Sequence, residues 1–370
     1  MNEFLVEEMQ HNKGAKIKVI GCGGGGGNMI NHMVKMGLND LDLIAANTDA
    51  QAISASLAKT KIQLGEKKTK GLGAGMLPEV GAESARESFE EIKASLSQSD
   101  IVFIASGFGG GTGTGATPVI AQAAKEIGAL TVSVVTMPFS FEGKQRKKLA
   151  ESGLLELKKE SDSILVIQNE KLLSIIDKKA SMKEAFKLVD DILTRAVKGM
   201  VSILLDNGDI NVDFADVRTI MSHRGLALMG VGSAEGENAV EIALKNAIES
   251  PLLDGMDIKG AKGVILHFKT SSNCSLFEIS AAANSIEEKV DENAKIIFGS
   301  TMDDTMEDRV EVTIIATGFE DKDTVGKKSS EETEVAKKNP YLNLKKVSGG
   351  FDEEIMAQIE TPTFLRRQMD

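Results

Sequence analysis

Residues 107–115 read GFGGGTGTG, directly after the β-branched run DIVFIAS and directly before ATPVIAQAAKEIG, whose apolar residues recur at helical spacing. Glycine costs more backbone entropy to order than any other residue, so a run this dense is either a loose linker or a surface that something approaches closely. Its place between a strand and a helix favours the second, because phosphate meets the free N–H groups of a helix N-terminus at such a junction. A second run, GCGGGGGN at 21–28, repeats the arrangement between KIKVI and the helical pattern of Ile30, Met33 and Val34. It satisfies G-x-G-x-x-G, a fingerprint that is weak when it stands alone. Two glycine loops at the same edge of one parallel sheet converge on one polyphosphate. Thr112 and Thr114 add hydroxyl donors that a plain turn does not need, and GLGAG at 71–75 and NTDAQA at 47–52 follow the intervening strands. The P-loop pattern GxxxxGK[ST] is absent.

Outward from these loops, strand-like and helix-like stretches take turns. IKVIG, LDLIAANTD, DIVFIASG, LTVSVVTMPF and SILVIQN are separated by segments such as PEVGAESARESFEEIKASLSQ, the alternation expected of a parallel sheet covered by helices. The stretch SMKEAFKLVDDILTRAVKGMVSILL opens at Ser181 with Glu184 three places on, which predicts a capped helix of unusual length joining two domains. A second, smaller α/β pattern follows and ends near Phe319. The chain is charged and polar from Glu320 to Gly350, which predicts disorder, and its last twenty residues regain Ile355, Met356, Ile359, Phe364 and Leu365 as a tethered binding segment. The expected organisation is an N-terminal extension (1–12), a nucleotide domain (13–180), a central helix (181–206), a C-terminal domain (207–319), a disordered linker (320–350) and a terminal peptide (351–370).

Composition bounds the function. A chain of 370 residues with 42% apolar content is long enough for two cored domains and a tail. No run approaches a membrane span, and the acidic start MNEFLVEEMQH lacks the layout of a signal peptide, so a cytosolic protein without direct membrane insertion is expected. Cys22 and Cys274 form no CxxC pair, and His11, His32, His223 and His267 are scattered without metal-ligand spacing, so no protein-held metal is expected. A net charge of −12 argues against nucleic acid as a partner.

With GGGTGTG stand GCGGGGGN, NTDAQA, GLGAG, PFSFEGKQR and NVDFADVR, in one order from about Lys16 to Phe319. In these motifs the chain resembles the FtsZ family, the bacterial tubulin-like cell-division GTPases. The resemblance implies a Rossmann-like parallel-sheet GTPase domain joined by a long central helix to a smaller α/β domain. It also implies GTP-dependent head-to-tail polymerisation into protofilaments of the division ring at mid-cell, subject to division-site regulators. Gly24, Gly25, Gly26, Gly27 and Asn28, with Gly107, Gly110, Gly111, Thr112, Gly113 and Thr114, are then expected around the phosphates of GTP or GDP. Asn47, Ala74 and Gly75 belong to the loops that complete the pocket. Glu142 and Arg146 match the family's ribose and phosphate side, although Arg146 taken alone is one charge in the basic run KQRKK. Asn169 and Asp191 match base-reading positions, with Phe186 suited to stack, although a lone Asp in LVDDIL also fits the polar stripe of a helix. The tail TPTFLRRQ, within 355–370, suits a membrane-anchored adaptor of the FtsA type.

Nothing near the glycine loops resembles a catalytic base. In NVDFADVR, Asp213 and Asp216 stand three apart and share a face at a helix start, where spacing alone favours an N-cap with an acidic first turn. The resemblance implies instead that this loop enters the nucleotide site of the next subunit, where the carboxylates and Asn211 orient water and Mg²⁺ held mainly by the phosphates offsets charge. Two rivals stay open. A nicotinamide dehydrogenase would use Asp42 or Asp49 on the ribose but lacks a convincingly placed histidine, and a nucleotide-dependent scaffold would bind without turnover.

Overall fold

The computed structural model describes residues 15–319 except 39–40, 174–175, 177–178, 206–212, 223–224, 251–252 and 254–257. The extension at 1–12, the linker at 320–350, the peptide at 351–370 and Asn211 therefore lie outside the described residues.

The chain opens with β1 (Ile17–Cys22), α1 (Gly23–Lys35), β2 (Asp42–Asn47), α2 (Ala50–Ala55), β3 (Thr60–Gln63), α3 (Glu66–Thr69), α4 (Pro78–Glu87) and α5 (Phe89–Leu96). It continues through β4 (Ile101–Gly107), α6 (Thr112–Glu126), β5 (Leu130–Met137), α7 (Lys144–Glu160), β6 (Ser163–Gln168) and α8 (Asn169–Leu172) to the long α9 (Met182–Leu205). Beyond it come α10 (Phe214–Met221), β7 (Gly225–Glu235), α11 (Ala239–Ile248), β8 (Gly263–Thr270), α12 (Leu276–Glu287), β9 (Lys295–Met302) and β10 (Arg309–Thr317).

The strands form a ten-stranded sheet of order β3-β2-β1-β4-β5-β6-β7-β10-β8-β9. Pairing is parallel from β3 to β7, while β10 runs antiparallel to both β7 and β8. The central strands β1, β4 and β5 are buried almost without interruption because helices cover both faces. One face packs on α1 and α9 through Met29, Ile30, Met33, Leu193, Ala196 and Val197. The other packs under α4 to α7 through Ala85, Ile92, Ile120, Ala124 and Leu157. A further cluster around Leu244, Val264, Phe268, Ile286 and Ile314 forms the core of the C-terminal domain.

The sheet runs continuously from the N-terminal strands into the C-terminal α/β region. Ser163, Ile164 and Leu165 of β6 pair in register with Gly225, Leu226 and Ala227 of β7. The capping box at the start of α9 forms, with Glu184 Oε2 accepting from the Ser181 N–H at 2.7 Å and Ser181 Oγ accepting from the Glu184 N–H at 3.3 Å. At 1.5 Å rise per residue, α9 spans roughly 36 Å. Val189, Ile192, Leu193, Ala196, Val197 and Met200 are all buried, at the spacing of one helical face.

Candidate functional site

In a parallel sheet the loops that follow the strands gather at one edge. Here Gly23 follows β1, Thr48 follows β2, Phe108 follows β4, Pro138 follows β5 and Asn169 follows β6. The first two glycine loops touch: a methyl group built on Gly23 would stand 2.9 Å from the Gly113 N, and one on Gly25 would stand 3.1 Å from the Gly107 Cα. GLGAG lies against the second loop, since a methyl group on Gly111 would meet the Ala74 Cβ at 2.8 Å. Thr48 and Thr112 join their hydroxyls at 2.6 Å, and Asn47 Oδ1 accepts the Asp49 N–H at 3.2 Å. Gly75 adopts a positive φ of 56° on the exposed rim.

Close packing explains some of these glycines and leaves others unexplained. Added carbons on Gly26 and Gly113 would lie 2.3 Å from the Ala105 O and 2.4 Å from the Gly107 O, so the fold itself excludes a side chain there. Gly24, Gly27 and Gly110 meet nothing within 4 Å and have no positive φ. Neither sterics nor backbone strain demands glycine at those three positions. The space above them fits an anion drawn to the free N–H groups at the start of α1, where Gly24, Gly25 and Asn28 are exposed. Thr114 differs from its expected part, because its buried Oγ1 accepts the Gly109 N–H at 2.9 Å and shapes the loop from within. Cys22 behaves similarly, its thiol pushed up to about 12 by complete burial and donating to the Thr112 O at 3.8 Å.

Beyond the phosphate region, Glu142 sits in a short 3-10 turn at Ser140–Glu142 and pairs with Arg146 Nη1 at 3.1 Å. Its other oxygen accepts the Phe139 N–H at 2.9 Å. Arg146 packs on the second glycine loop, since a methyl group on Gly109 would be 3.2 Å from the Arg146 Cβ. Phe186 is 39% exposed and meets Phe139 edge-on at 5.5 Å, leaving part of its ring open. Asn169 is buried, and its Oδ1 has no partner among the described residues. An orphaned buried acceptor is costly, and it calls for a donor.

The adjacent carboxylates on α9 differ in surroundings. Asp191 is held by Arg195 at 2.7 Å and by His32 at 3.3 Å. Asp190 is half-buried, makes no side-chain hydrogen bond among the described residues, and shares the face of Phe186 at i,i+4 spacing. Burial pushes its carboxyl up to about 6, with His32 opposing the shift. Asp190 thus stands one helical turn from Phe186 with no side-chain hydrogen-bond partner among the described residues, whereas Asp191 is paired.

Asp213 and Asp216 lie elsewhere. Asp213 caps α10, accepting the Ala215 N–H at 3.4 Å, and Asp216 stands exposed in the first turn. From α10, Arg218 donates to the Gly128 O at 3.3 Å, in the turn that precedes β5. Val217 and Met221 line a small apolar cavity with Ile101 and Leu130, the first residues of β4 and β5. The acidic pair is therefore at the N-terminal edge of the strands whose C-terminal ends carry the glycine loops. At about 3.3 Å per residue, the eight residues of β5 put roughly 26 Å between the two edges. No cluster of three or more His, Cys, Asp or Glu able to hold a metal occurs among the described residues.

Glycine loops on one edge, a half-open Phe186 ring on α9 and a long helix leading to a second α/β layer define a nucleotide-binding protein of tubulin-like architecture. Comparison with known proteins agrees. Residues 16–177 match the GTPase domain of the Tubulin/FtsZ family, and residues 225–320 match the C-terminal domain of the FtsZ family. An FtsZ from M. jannaschii, solved as an empty dimer, is 46% identical over 84% of this chain and 89% of its own, with a TM-score of 0.78. CetZ1 and CetZ2 from Haloferax volcanii share the fold at 20% and 19% identity, with TM-scores of 0.74 and 0.71 over 87% of this chain and 99% of theirs. The chain belongs to the FtsZ family and carries that family's GTPase domain.

Proposed function

We propose that this protein binds and hydrolyses GTP and polymerises head to tail into protofilaments of the cell-division ring, each active site being completed by the Asp213 and Asp216 of the next subunit. The observation that carries this reading is the separation of the acidic pair from the glycine loops by the length of the sheet. Both sets of residues serve one reaction only when the N-terminal edge of one copy meets the C-terminal edge of another. The M. jannaschii relative was solved as a dimer, which supports self-association.

The N–H groups around Gly24 to Asn28 and Gly110 to Thr114 hold the phosphates, and Arg146, steered by Glu142, adds positive charge on that side. Phe186 stacks on the base and Asn169 satisfies its orphaned amide on it. Asp190, rather than Asp191, accepts the two adjacent donors of guanine, because it is the carboxylate left without a partner. Adenine offers a donor beside an acceptor and is disfavoured. Mg²⁺ would be held by the phosphates of the bound nucleotide rather than by a cluster of side chains, and would supply charge compensation there. Asp216 of the incoming subunit orients the attacking water, with Asp213 holding the start of α10 as its cap and Asn211 acting on the same water. The terminal peptide at 355–370 recruits a membrane adaptor of the FtsA type, which brings a cytoplasmic filament to mid-cell, where division-site regulators act on it.

Phosphate release per subunit, measured against protein concentration, tests this. The reading requires near-zero turnover in dilute solution, a threshold, and slow hydrolysis with intact GTP binding in Asp216→Asn. A per-subunit rate independent of concentration overturns it.

A further inference from the structure

Positions 190 and 191 put two carboxylates in succession on α9, although a guanine edge needs one. Like charges this close disfavour each other's ionised form. The two are treated differently by their neighbours. Asp191 Oδ1 lies 3.3 Å from His32 Nε2 on α1, and Asp191 Oδ2 lies 2.7 Å from Arg195 Nη2 one turn along α9. With Asp191 also paired to the Arg195 guanidinium, the tautomer that makes this contact a hydrogen bond is the one with the His32 proton on Nε2. Asp190 makes no such contact among the described residues, and His32 reaches it only through its charge.

We propose that His32 is a positioning residue for guanine recognition: with Arg195 it clamps Asp191 from both sides and leaves Asp190 as the single free carboxylate at the base. This deepens the nucleotide site proposed above and rests on Asp190 as the base acceptor. The clamp also ties the phosphate end of the site to the base end, because α1 begins with the glycine run and α9 carries Phe186, Asp190 and Asp191. Without His32, one oxygen of Asp191 loses its donor. Its less compensated charge then stands beside Asp190 and makes ionisation of Asp190 costlier, and its side chain is free to rotate and compete for the same donors.

The test is the ratio of dissociation constants for GTP and inosine triphosphate, measured on the full-length protein. The two ligands share their phosphates and ribose and differ by one amino group on the base, so damage to the phosphate loops cancels in the ratio. His32→Leu is expected to lower the preference for GTP about tenfold, the equivalent of one charged hydrogen bond at the base. His32→Gln, whose amide N–H donates from a similar place, is expected to keep most of the preference. Should His32→Leu not fold, Arg195→Leu removes the other arm from a side chain that is 63% exposed, and a partial loss of preference is expected. A wild-type ratio in His32→Leu, or in Arg195→Leu where that variant stands in, overturns the clamp. Equal losses in His32→Leu and His32→Gln also overturn it, since they reflect packing alone. Asp190→Asn separates the two levels. If it retains the wild-type ratio, the base assignment fails and the clamp fails with it. If Asp190→Asn loses the ratio while His32→Leu keeps it, the clamp alone fails.

Discussion

Gly24→Ala pits the stability of the fold against its capacity for ligand, with opposite signs. The added carbon meets nothing within 4 Å, and the backbone there is not in the left-handed region. An alanine in a compatible conformation reduces the entropy of the unfolded chain and stabilises by about 0.4–1 kcal/mol. For a domain of this size that corresponds to a rise of about 1–3 °C in the melting temperature of the nucleotide-free protein. The same methyl group occupies the space through which a phosphate reaches the α1 N–H groups. Losing one charge-assisted hydrogen bond costs about 1.5–3 kcal/mol, or roughly a 10- to 150-fold weaker affinity for GTP. Gly113→Ala is the control, because its carbon would sit 2.4 Å from the Gly107 O and 2.6 Å from the Ser106 Oγ, both packed in place. That variant should melt several degrees lower whether or not nucleotide is present. Differential scanning calorimetry without nucleotide, paired with equilibrium titration by GTP, reads both effects. Unchanged GTP affinity in Gly24→Ala, or a melting point several degrees below wild type, would refute the division of the glycines into packed and ligand-facing sets.

Asp190 carries a pH signature: its folded carboxyl is raised from 3.8 to about 6, so its contribution to stability is complete below 3.8 and lost as pH rises through 6. Nucleotide-free Asp190→Asn should therefore melt above wild type at pH 7.5, with the gain shrinking toward pH 5, and equal melting at both pH values would contradict this. In wild type the preference for GTP over inosine triphosphate should fall as pH drops through about 6, while Asp190→Asn shows a weak preference at every pH in competition binding. Asn169→Ala should cost the nucleotide-free fold little, since Asn169 Oδ1 has no partner to lose, yet weaken GTP binding at least several-fold by titration. Deleting residues 355–370 should leave GTP-driven sedimentation intact and abolish recruitment to adaptor-coated vesicles, and loss of sedimentation would tie the tail to the core.

The parts of this molecule that were legible in its sequence are those where one residue type has one physical reason to be present. Glycine runs between strands and helices announced the polyphosphate edge, and the Ser181 and Glu184 pair announced the start of α9. Long-range geometry was hidden. No local pattern marks the β6 to β7 pairing that makes the sheet continuous, because Ser163–Leu165 and Gly225–Ala227 look like any strand ends. The choice between Asp190 and Asp191 was hidden for a different cause. A two-carboxylate run gives equal chemistry at both positions, and the partners that divide them come from His32, more than 150 positions away, and from Arg195. The four-residue step from Phe186 to Asp190 is the local signal that favours Asp190. For Asp213 the capping interpretation and the catalytic one proved compatible: the cap uses one oxygen of Asp213 and leaves Asp216 exposed.

If a working site draws residues from opposite edges of two copies, mixing two crippled variants restores it. Gly24→Ala weakens the pocket, so that at a GTP concentration near the wild-type dissociation constant it stays mostly empty, but keeps the acidic loop, whereas Asp216→Asn keeps the pocket and lacks the carboxylate. Each alone should release phosphate slowly. At a total concentration above the wild-type threshold, an equal mixture contains interfaces that pair an intact pocket with an intact loop, and the account predicts turnover well above the sum of the two separate rates. A mixture that releases phosphate at no more than that sum, while co-sedimenting, would contradict a site shared between subunits.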